Sequence, residues 1–119
     1  MPTYMLLLHD DPAAMTDITP DAMQAIVREY GAWAGGLRAQ DRLVDANKFT
    51  DDAGRILRGS GADLTVADGP DRATEPFLAG YFIVRADSYD DAVAIARTCP
   101  HARRPYNAGI EVRQIEGAD

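Results

Sequence analysis

The chain has 119 residues with 12 Lys and Arg against 19 Asp and Glu, so its formal net charge at pH 7 is −7. This length predicts one domain over residues 1–119, and the acidic balance argues against nucleic acid or an anionic membrane surface as a partner. The sequence shows no long apolar run and no signal-peptide pattern, and a lone Cys99 cannot form an internal disulfide, so we expect a cytoplasmic protein.

The first part of the chain predicts a strand followed by a helix. Thr3–His9 is a nearly continuous apolar run, which is typical of a strand that is central in its sheet or covered on both faces. Thr19-Pro20-Asp21 predicts a helix start, because the hydroxyl can cap, proline suits the first helical position and aspartate complements the helix dipole. Apolar residues then recur at helical spacing, at Met23, Ile26, Val27, Tyr30, Trp33, Ala34 and Leu37.

Three glycines interrupt this helical pattern, at positions 31, 35 and 36. Each glycine weakens a helix by about 1 kcal/mol, so a packing reason is needed, and we expect a close approach of the helix to the sheet. Leu43–Phe49 then predicts a second strand.

The middle of the chain predicts a small hairpin. Arg55–Arg58 and Leu64–Ala67 are short strand-like runs, and Gly59-Ser60-Gly61 between them is a turn signal. Asp68-Gly69-Pro70 then breaks regular structure, because the proline disfavours helical geometry at the glycine before it.

The last part of the chain predicts a strand, a capped helix and a closing strand. Tyr81–Ala86 is rich in aromatic and β-branched residues, and Ser88 begins a capping sequence for a helix that Pro100 stops. Ile110–Ile115 alternates apolar and charged residues and predicts the final strand. The apolar face of the second helix consists of Ala92, Val93, Ile95, Ala96 and Cys99.

Apart from the hairpin, these elements follow the order strand, helix, strand, strand, helix, strand. That order is the split β-α-β arrangement of ferredoxin-like α+β folds, in which two helices cover one face of an antiparallel sheet. The other face of the sheet is then left open. An open apolar face usually marks a subunit interface, so we expect a homodimer joined through its sheets.

Several short motifs, taken in order, resemble the YCII-related family and within it the DGPF branch. They are Asp68-Gly69-Pro70, Gly80-Tyr81, Ala86-Asp87-Ser88, Cys99-Pro100-His101 and Ile110-Glu111-Val112-Arg113. The resemblance implies a dimeric α+β barrel built from ferredoxin-like halves. Two positions depart from it, since Asp71 stands where the branch name has phenylalanine, and Tyr30 stands at about the place of a proposed catalytic histidine in some relatives.

Connectivity of this fold predicts that one edge collects the polar residues of the chain. We expect that edge to hold His9, Asp10, Asp11, the loop of Asp68, His101, Arg103 and Arg104. Histidine is the default general base near neutral pH, so His101 and His9 are candidate catalytic residues, and Asp68 could orient an imidazole. Arg103 and Arg104 could hold a small anionic ligand. We add Tyr30 and Tyr81 as candidate binding residues.

Structural roles compete with each of these assignments. His101 could simply end the second helix, His9 could be a partly buried strand end, and Asp68 could be a turn former. Tyr81 could belong to the core or an interface, and Arg103 with Arg104 to a solvated loop. The spacing of two histidines and an aspartate is not diagnostic of a metal triad, and no phosphate loop or dinucleotide fingerprint occurs, so we expect neither metal nor cofactor. Cys99 is not a candidate nucleophile.

Three functions remain open at this level. The first is a cofactor-free, lyase- or isomerase-like enzyme that uses a histidine base on a small organic acid. The second is a non-catalytic, dimeric ligand-binding or regulatory module, since DGPF-type proteins often look like companions of sigma-factor regulation. The third is a dimer whose pocket is vestigial. The fold cannot choose among them, because ferredoxin-like halves serve many unrelated functions.

Overall fold

The computed structural model describes residues 1–117 of the chain. Within these residues there are two α-helices, α1 (Pro20–Ala39) and α2 (Tyr89–Thr98). The strands in the same part of the chain are β1 (Thr3–Asp10), β2 (Leu43–Lys48), β3 (Arg55–Arg58), β4 (Thr65–Asp68), β5 (Phe77–Arg85) and β6 (Asn107–Ile115). Every predicted helix and strand is therefore present, although β5 begins at Phe77 and β6 at Asn107, before the predicted starts.

Both predicted helix caps are confirmed. The Thr19 side chain accepts a hydrogen bond from the Ala22 N–H at 3.1 Å, and the Ser88 hydroxyl accepts one from the Asp91 N–H, also at 3.1 Å. The Asp91 carboxylate in turn accepts from the Asp87 N–H and from Arg42, which lowers the pKa of Asp91. Each helix thus begins where the sequence supplies an acceptor for its unpaired N–H groups.

The four long strands form one antiparallel sheet in the order β2-β5-β1-β6. The first and last strands are neighbours in this sheet, which is the arrangement of a ferredoxin-like α+β fold. Strands β3 and β4 pair only with each other, as the predicted hairpin, and positive φ angles at Gly59 and Gly61 form its turn. The predicted fold class is confirmed.

The helices cover one face of the sheet. Alternate residues of β1, including Tyr4 and Leu6, are buried against Leu37 of α1 and Ala92 of α2. The other face, which we call the open face, presents half-buried apolar side chains of the two central strands, namely Met5, Leu7, Tyr81 and Ile83. Within residues 1–117 no helix is long and apolar enough to cross a membrane.

Close packing does not explain the glycines of α1. A Cβ atom placed on Gly31, Gly35 or Gly36 would meet nothing within 4 Å, so the expected close approach to the sheet is wrong. The close approaches occur instead at Gly69 and Gly80, where an added Cβ would lie 1.9 Å from the Ala53 carbonyl oxygen and 2.6 Å from that of Asn47, respectively.

Candidate functional site

His101 lies in a tight turn, Pro100–Arg103, that follows α2. Pro100 cannot continue the helix, so the chain turns inward at this point and buries His101, a residue that is 2% exposed. The Nδ1 atom of the ring lies 2.8 Å from the Tyr30 hydroxyl of α1. The Nε2 atom lies 2.9 Å from the backbone carbonyl oxygen of His9. His101 therefore links α1 to the end of β1, and these bonds differ from the helix-ending role that the sequence left open.

The partners of the ring fix its tautomer. A carbonyl oxygen can only accept, so Nε2 carries a proton and donates to His9. In the neutral ring Nδ1 is then an acceptor, and the Tyr30 hydroxyl donates to it. Tyr30 is thus placed at the histidine as an O–H donor.

Asp10 supplies the carboxylate of this site. It is the last residue of β1 and its Oδ1 atom lies 3.3 Å from Nε2 of His101. Within residues 1–117 that oxygen is buried and has no hydrogen-bond donor, because the N–H of His101 is directed at the His9 carbonyl. Burial raises the pKa of Asp10, although His101, Arg72 and Lys48 act in the opposite direction.

Two tyrosines complete the cluster. The hydroxyls of Tyr30 and Tyr106 lie 3.4 Å apart, and the Tyr106 side chain is also in edge contact with the His101 ring. Burial raises the pKa of both phenols, so both remain protonated donors at neutral pH. We refer to Asp10, Tyr30, His101 and Tyr106 as the Asp-His-Tyr cluster.

A cavity of about 390 Å³ lies at the same end of the sheet. Its lining includes Phe77, which is the β5 residue paired with Asp10, and Pro12, which follows β1. The remaining lining residues are Met15, Thr16, Asp51, Arg72 and Ala73. The volume falls in the range of small-molecule sites. Asp10 itself is not among the lining residues, and Phe77 connects the cavity to the cluster through its pairing with Asp10.

The structure does not bring His9 and Asp68 side chains to this cluster. His9 alternates with Asp10 along β1 and is directed to the open face, where its Nε2 atom lies 3.8 Å from Glu111. Asp68 ends β4 and faces Arg55 at 3.4 Å on the hairpin, with 79% of its side chain exposed. The carboxylate beside His101 is therefore Asp10, and His9 contributes only its carbonyl group.

The predicted binding residues are likewise only partly brought to the cluster. Arg104 and Arg103 both form ion pairs with Glu29 of α1, so both guanidinium groups already have a carboxylate partner within the chain. The Tyr81 hydroxyl bonds Asp45 and Asn47 on the open face. Tyr30 alone of the predicted binding residues belongs to the Asp-His-Tyr cluster.

Sequence reasoning placed Asp10 at this edge but gave its role to Asp68, and it missed Tyr106 and Arg72. The position of Asp10 at the end of a buried strand was a usable signal, because a carboxylate there must be desolvated. Tyr106 lies in a loop with no periodicity, and only the pairing of β1 with β6 places it here.

A larger groove of about 480 Å³ lies between the two helices. Trp33 spans it by donating its indole N–H to Thr98 at 2.9 Å, and the ion pair between Arg42 and Asp91 closes one end. No set of three His, Cys, Asp or Glu side chains in residues 1–117 is arranged to hold a metal ion.

The sheet order and the cluster define a ferredoxin-like α+β domain that buries a histidine–carboxylate pair at one edge of its sheet. The chain belongs to the YCII-related family, because the family model for the YCII-related domain matches residues 2–117. The resemblance noted in the sequence is thereby confirmed at the level of the family, and membership of the DGPF branch stays a prediction.

Two known proteins show how this chain relates to others. An uncharacterised protein of Rhizobium meliloti (strain 1021) is 27% identical over 118 residues, which cover 94% of this chain and 90% of the relative. The solved structure of 5-chloro-2-hydroxyhydroquinone dehydrochlorinase (TftG) from Burkholderia phenoliruptrix AC1100, in complex with 2,5-dihydroxybenzoquinone, superimposes with a TM-score of 0.51. It is 16% identical and covers 98% of this chain and 95% of that one. At this identity the likeness shows the fold alone.

Proposed function

We propose that this protein is a cofactor-free, lyase- or isomerase-like enzyme that moves a proton on a small organic acid. The observation that carries the proposal is the pair formed by Asp10 and His101, whose Oδ1 and Nε2 atoms are 3.3 Å apart, at the end of the sheet where Phe77, the strand partner of Asp10, lines a cavity of ligand size. A desolvated carboxylate is a stronger base than an exposed one, because burial raises its pKa towards the working pH.

In this mechanism Asp10 accepts the proton from the substrate, and His101 supports the Asp10 carboxylate without contacting the substrate. The Asp10 side chain is 11% exposed and that of His101 only 3%, so the carboxylate is the more accessible member of the pair. The hydrogen bonds to Tyr30 and to the His9 carbonyl hold the imidazole in one orientation. His101 favours the ionised carboxylate by electrostatic attraction rather than by a hydrogen bond, because its Nε2–H donates to His9.

The fold neighbour supplies a reaction class to test. TftG is by its name a dehydrochlorinase, and loss of HCl from a small hydroxylated ring is one elimination that a carboxylate base can assist. For this chain, elimination from 5-chloro-2-hydroxyhydroquinone and C–H exchange in 2-oxo acids are the two reactions to assay first.

The test compares buried and exposed versions of the same substitution. Asp10→Asn and His101→Gln are assayed beside Asp68→Asn and His9→Gln, whose side chains are outside the cluster. Chloride release and proton NMR in D₂O report elimination and exchange, respectively. We expect a loss of at least about a hundredfold for Asp10→Asn, which is typical of removing a general base, and little change in both controls. Equal rates for Asp10→Asn and wild type would contradict the mechanism.

A binding or regulatory module is the second candidate, and one observation favours it. Both nitrogens of His101 are occupied by groups of the chain itself, and the imidazole lines neither cavity described above. A cluster of this kind can serve stability without turnover. This candidate, which includes the sigma-factor-associated role, would be favoured if the protein bound ligands but catalysed neither elimination nor exchange.

We also propose that the chain forms a homodimer through its open face. The domain is only 20 Å thick, and Leu7 and Ile83 leave the centre of that face apolar and half-buried. Ile83→Arg is expected to yield a monomer in light scattering, whereas Val27→Arg, on an exposed position of α1, leaves the mass of the dimer unchanged. A monomeric wild type would refute the proposal.

A further inference from the structure

We infer that Arg72 is the residue that binds the anionic group of the ligand, and that it selects small molecules carrying a carboxylate or a similar planar anion. This inference deepens the proposed function, since Arg72 lines the cavity beside Asp10. It concerns binding, however, and its test is separate from turnover.

The chain itself holds the guanidinium of Arg72 in place. The group lies over the Phe77 ring at 3.6 Å from the ring centre. Its Nη1 atom donates to the backbone carbonyls of Thr50 at 3.2 Å and Asp52 at 3.4 Å. Stacking on Phe77 and the two carbonyls at Nη1 fix the plane of the group before any ligand arrives.

The opposite edge of the same guanidinium makes no hydrogen bond and only a long ion pair with Asp51. Within residues 1–117 neither Nε nor Nη2 of Arg72 has a hydrogen-bond partner, and the nearest carboxylate oxygen, Oδ1 of Asp51, is 3.7 Å from Nη2. Asp51 is also 83% exposed and is bonded to Lys48 at 2.9 Å. The Nε–Nη2 edge presents two parallel donors, which is the geometry that a carboxylate accepts in bidentate fashion.

The Asp68-Gly69-Pro70 motif gains a role from this arrangement. The Gly69 N–H donates to the Gly54 carbonyl at 3.1 Å. An added Cβ on Gly69 would lie 1.9 Å from the Ala53 oxygen, so only glycine allows the two loops to meet here. The motif therefore joins the loop that carries Arg72 to the loop whose carbonyls anchor it.

Asp71, the residue after the motif, also helps to fix the loop that carries Arg72. The Asp71 carboxylate accepts from the Ala73 N–H at 2.9 Å, and its carbonyl accepts from Glu75 at 2.8 Å. These bonds form a tight turn with Arg72 inside it. Aspartate suits this turn, because its side chain can bond the backbone two residues ahead, which phenylalanine cannot do.

Charge also favours an anion at this point. Arg72 lowers the pKa of Asp10 by Coulombic attraction. An anion bound to the free edge would offset that attraction, and the Asp10 carboxylate would then become more basic when a ligand is present. A neutral ligand would lack this effect.

The experiment uses benzoate and benzamide as probes, since they share a shape and differ in charge. Binding to the full chain is measured by calorimetry or by NMR titration. We expect benzoate to bind at least about tenfold more weakly to Arg72→Gln than to wild type, which is the loss expected for charge-assisted hydrogen bonds, and benzamide to bind both proteins equally weakly. Arg72→Lys keeps the charge but lacks the fork, so its benzoate affinity should fall between the two.

The matched control is Arg55→Gln, on an exposed hairpin position with 64% of the side chain accessible. It should bind benzoate as wild type does. Equal benzoate affinity in wild type and Arg72→Gln, an equal loss in Arg55→Gln, or no binding to wild type would each overturn the inference. Proton NMR spectra that match the wild type confirm that Arg72→Gln is folded, and Arg72→Lys provides a second reading if it is not.

Asp10→Asn separates this inference from the proposed function. The substitution removes a negative charge near the bound anion, so benzoate should bind at least as tightly as to wild type while turnover is lost. Arg72-dependent binding combined with unchanged turnover in Asp10→Asn would leave the anion site standing and refute the base. Loss of turnover in Asp10→Asn combined with Arg72-independent binding would do the reverse.

Discussion

Replacing Tyr30 by phenylalanine tests the central hydrogen bond of the Asp-His-Tyr cluster. The change removes one oxygen and leaves the ring, so packing is nearly unchanged. It takes away the O–H that lies 2.8 Å from Nδ1 of the buried His101. A change of tautomer cannot compensate. With the proton on Nδ1, the unprotonated Nε2 would face the His9 carbonyl oxygen, and both atoms are acceptors.

The size of the effect follows from that geometry. A buried acceptor left without a partner costs about 1–3 kcal/mol, and we expect the free energy of unfolding to fall by this amount. Tyr81→Phe is the matched control. The same oxygen is removed there, but its partners Asp45 and Asn47 are on the surface, where water replaces it, and the change should stay within about 0.5 kcal/mol.

Urea unfolding followed by far-UV circular dichroism measures both variants, with an unchanged slope as the sign that only stability has altered. A double-mutant cycle with His101→Leu completes the test, since the cost of Tyr30→Phe should largely vanish once the imidazole is gone. Equal costs for Tyr30→Phe and Tyr81→Phe, or a cycle with no coupling, would refute the assignment of the Tyr30 hydroxyl as donor to His101.

Three further predictions follow from groups outside the cluster. Gly35→Ala should raise the free energy of unfolding by about 0.5–1 kcal/mol, because it improves helix propensity where nothing lies within 4 Å, whereas Gly69→Ala should lower thermal stability through its contact with Ala53. The pKa of Asp91 is lowered by a backbone N–H, so the stability that Asp91 contributes should be present above about pH 4 and be lost as the pH falls below it. Asp91→Asn should therefore be less stable than wild type at neutral pH. Urea titrations should show this difference shrinking in acid. Burial raises the pKa of Cys99 to about 11, so its thiol should react slowly with a disulfide reagent at mild pH until the chain is unfolded; fast labelling of the folded protein would contradict this.

The fold was predictable because its signals are local. Thr19 and Ser88 mark helix starts by a hydroxyl at the cap, and both caps are formed. The starts of β5 and β6 were missed because Phe77 to Gly80 and Asn107 to Gly109 show no alternation. Their extended conformation comes from pairing with β1, which is a tertiary effect.

The site was only partly predictable, since its geometry depends on which side of a strand each residue faces. Connectivity alone brings His9, Asp10 and His101 to one end of the sheet. Because side chains alternate along β1, Asp10 and His9 face opposite sides of the sheet. Which of them faces the cluster depends on the strand register, and that register shifts on both sides of His9. The pairing of Asp68 within a separate hairpin could not be foreseen from its motif.

The groove between the helices is lined at one position by a residue that has no side chain. Gly36 lies in its wall, and no atom comes within 4 Å of the point where a Cβ would stand. One larger residue at this position, such as leucine, would project into the empty space and plug it without moving either helix. A side chain at position 36 is therefore expected to reduce the volume of the groove without altering the Asp-His-Tyr cluster.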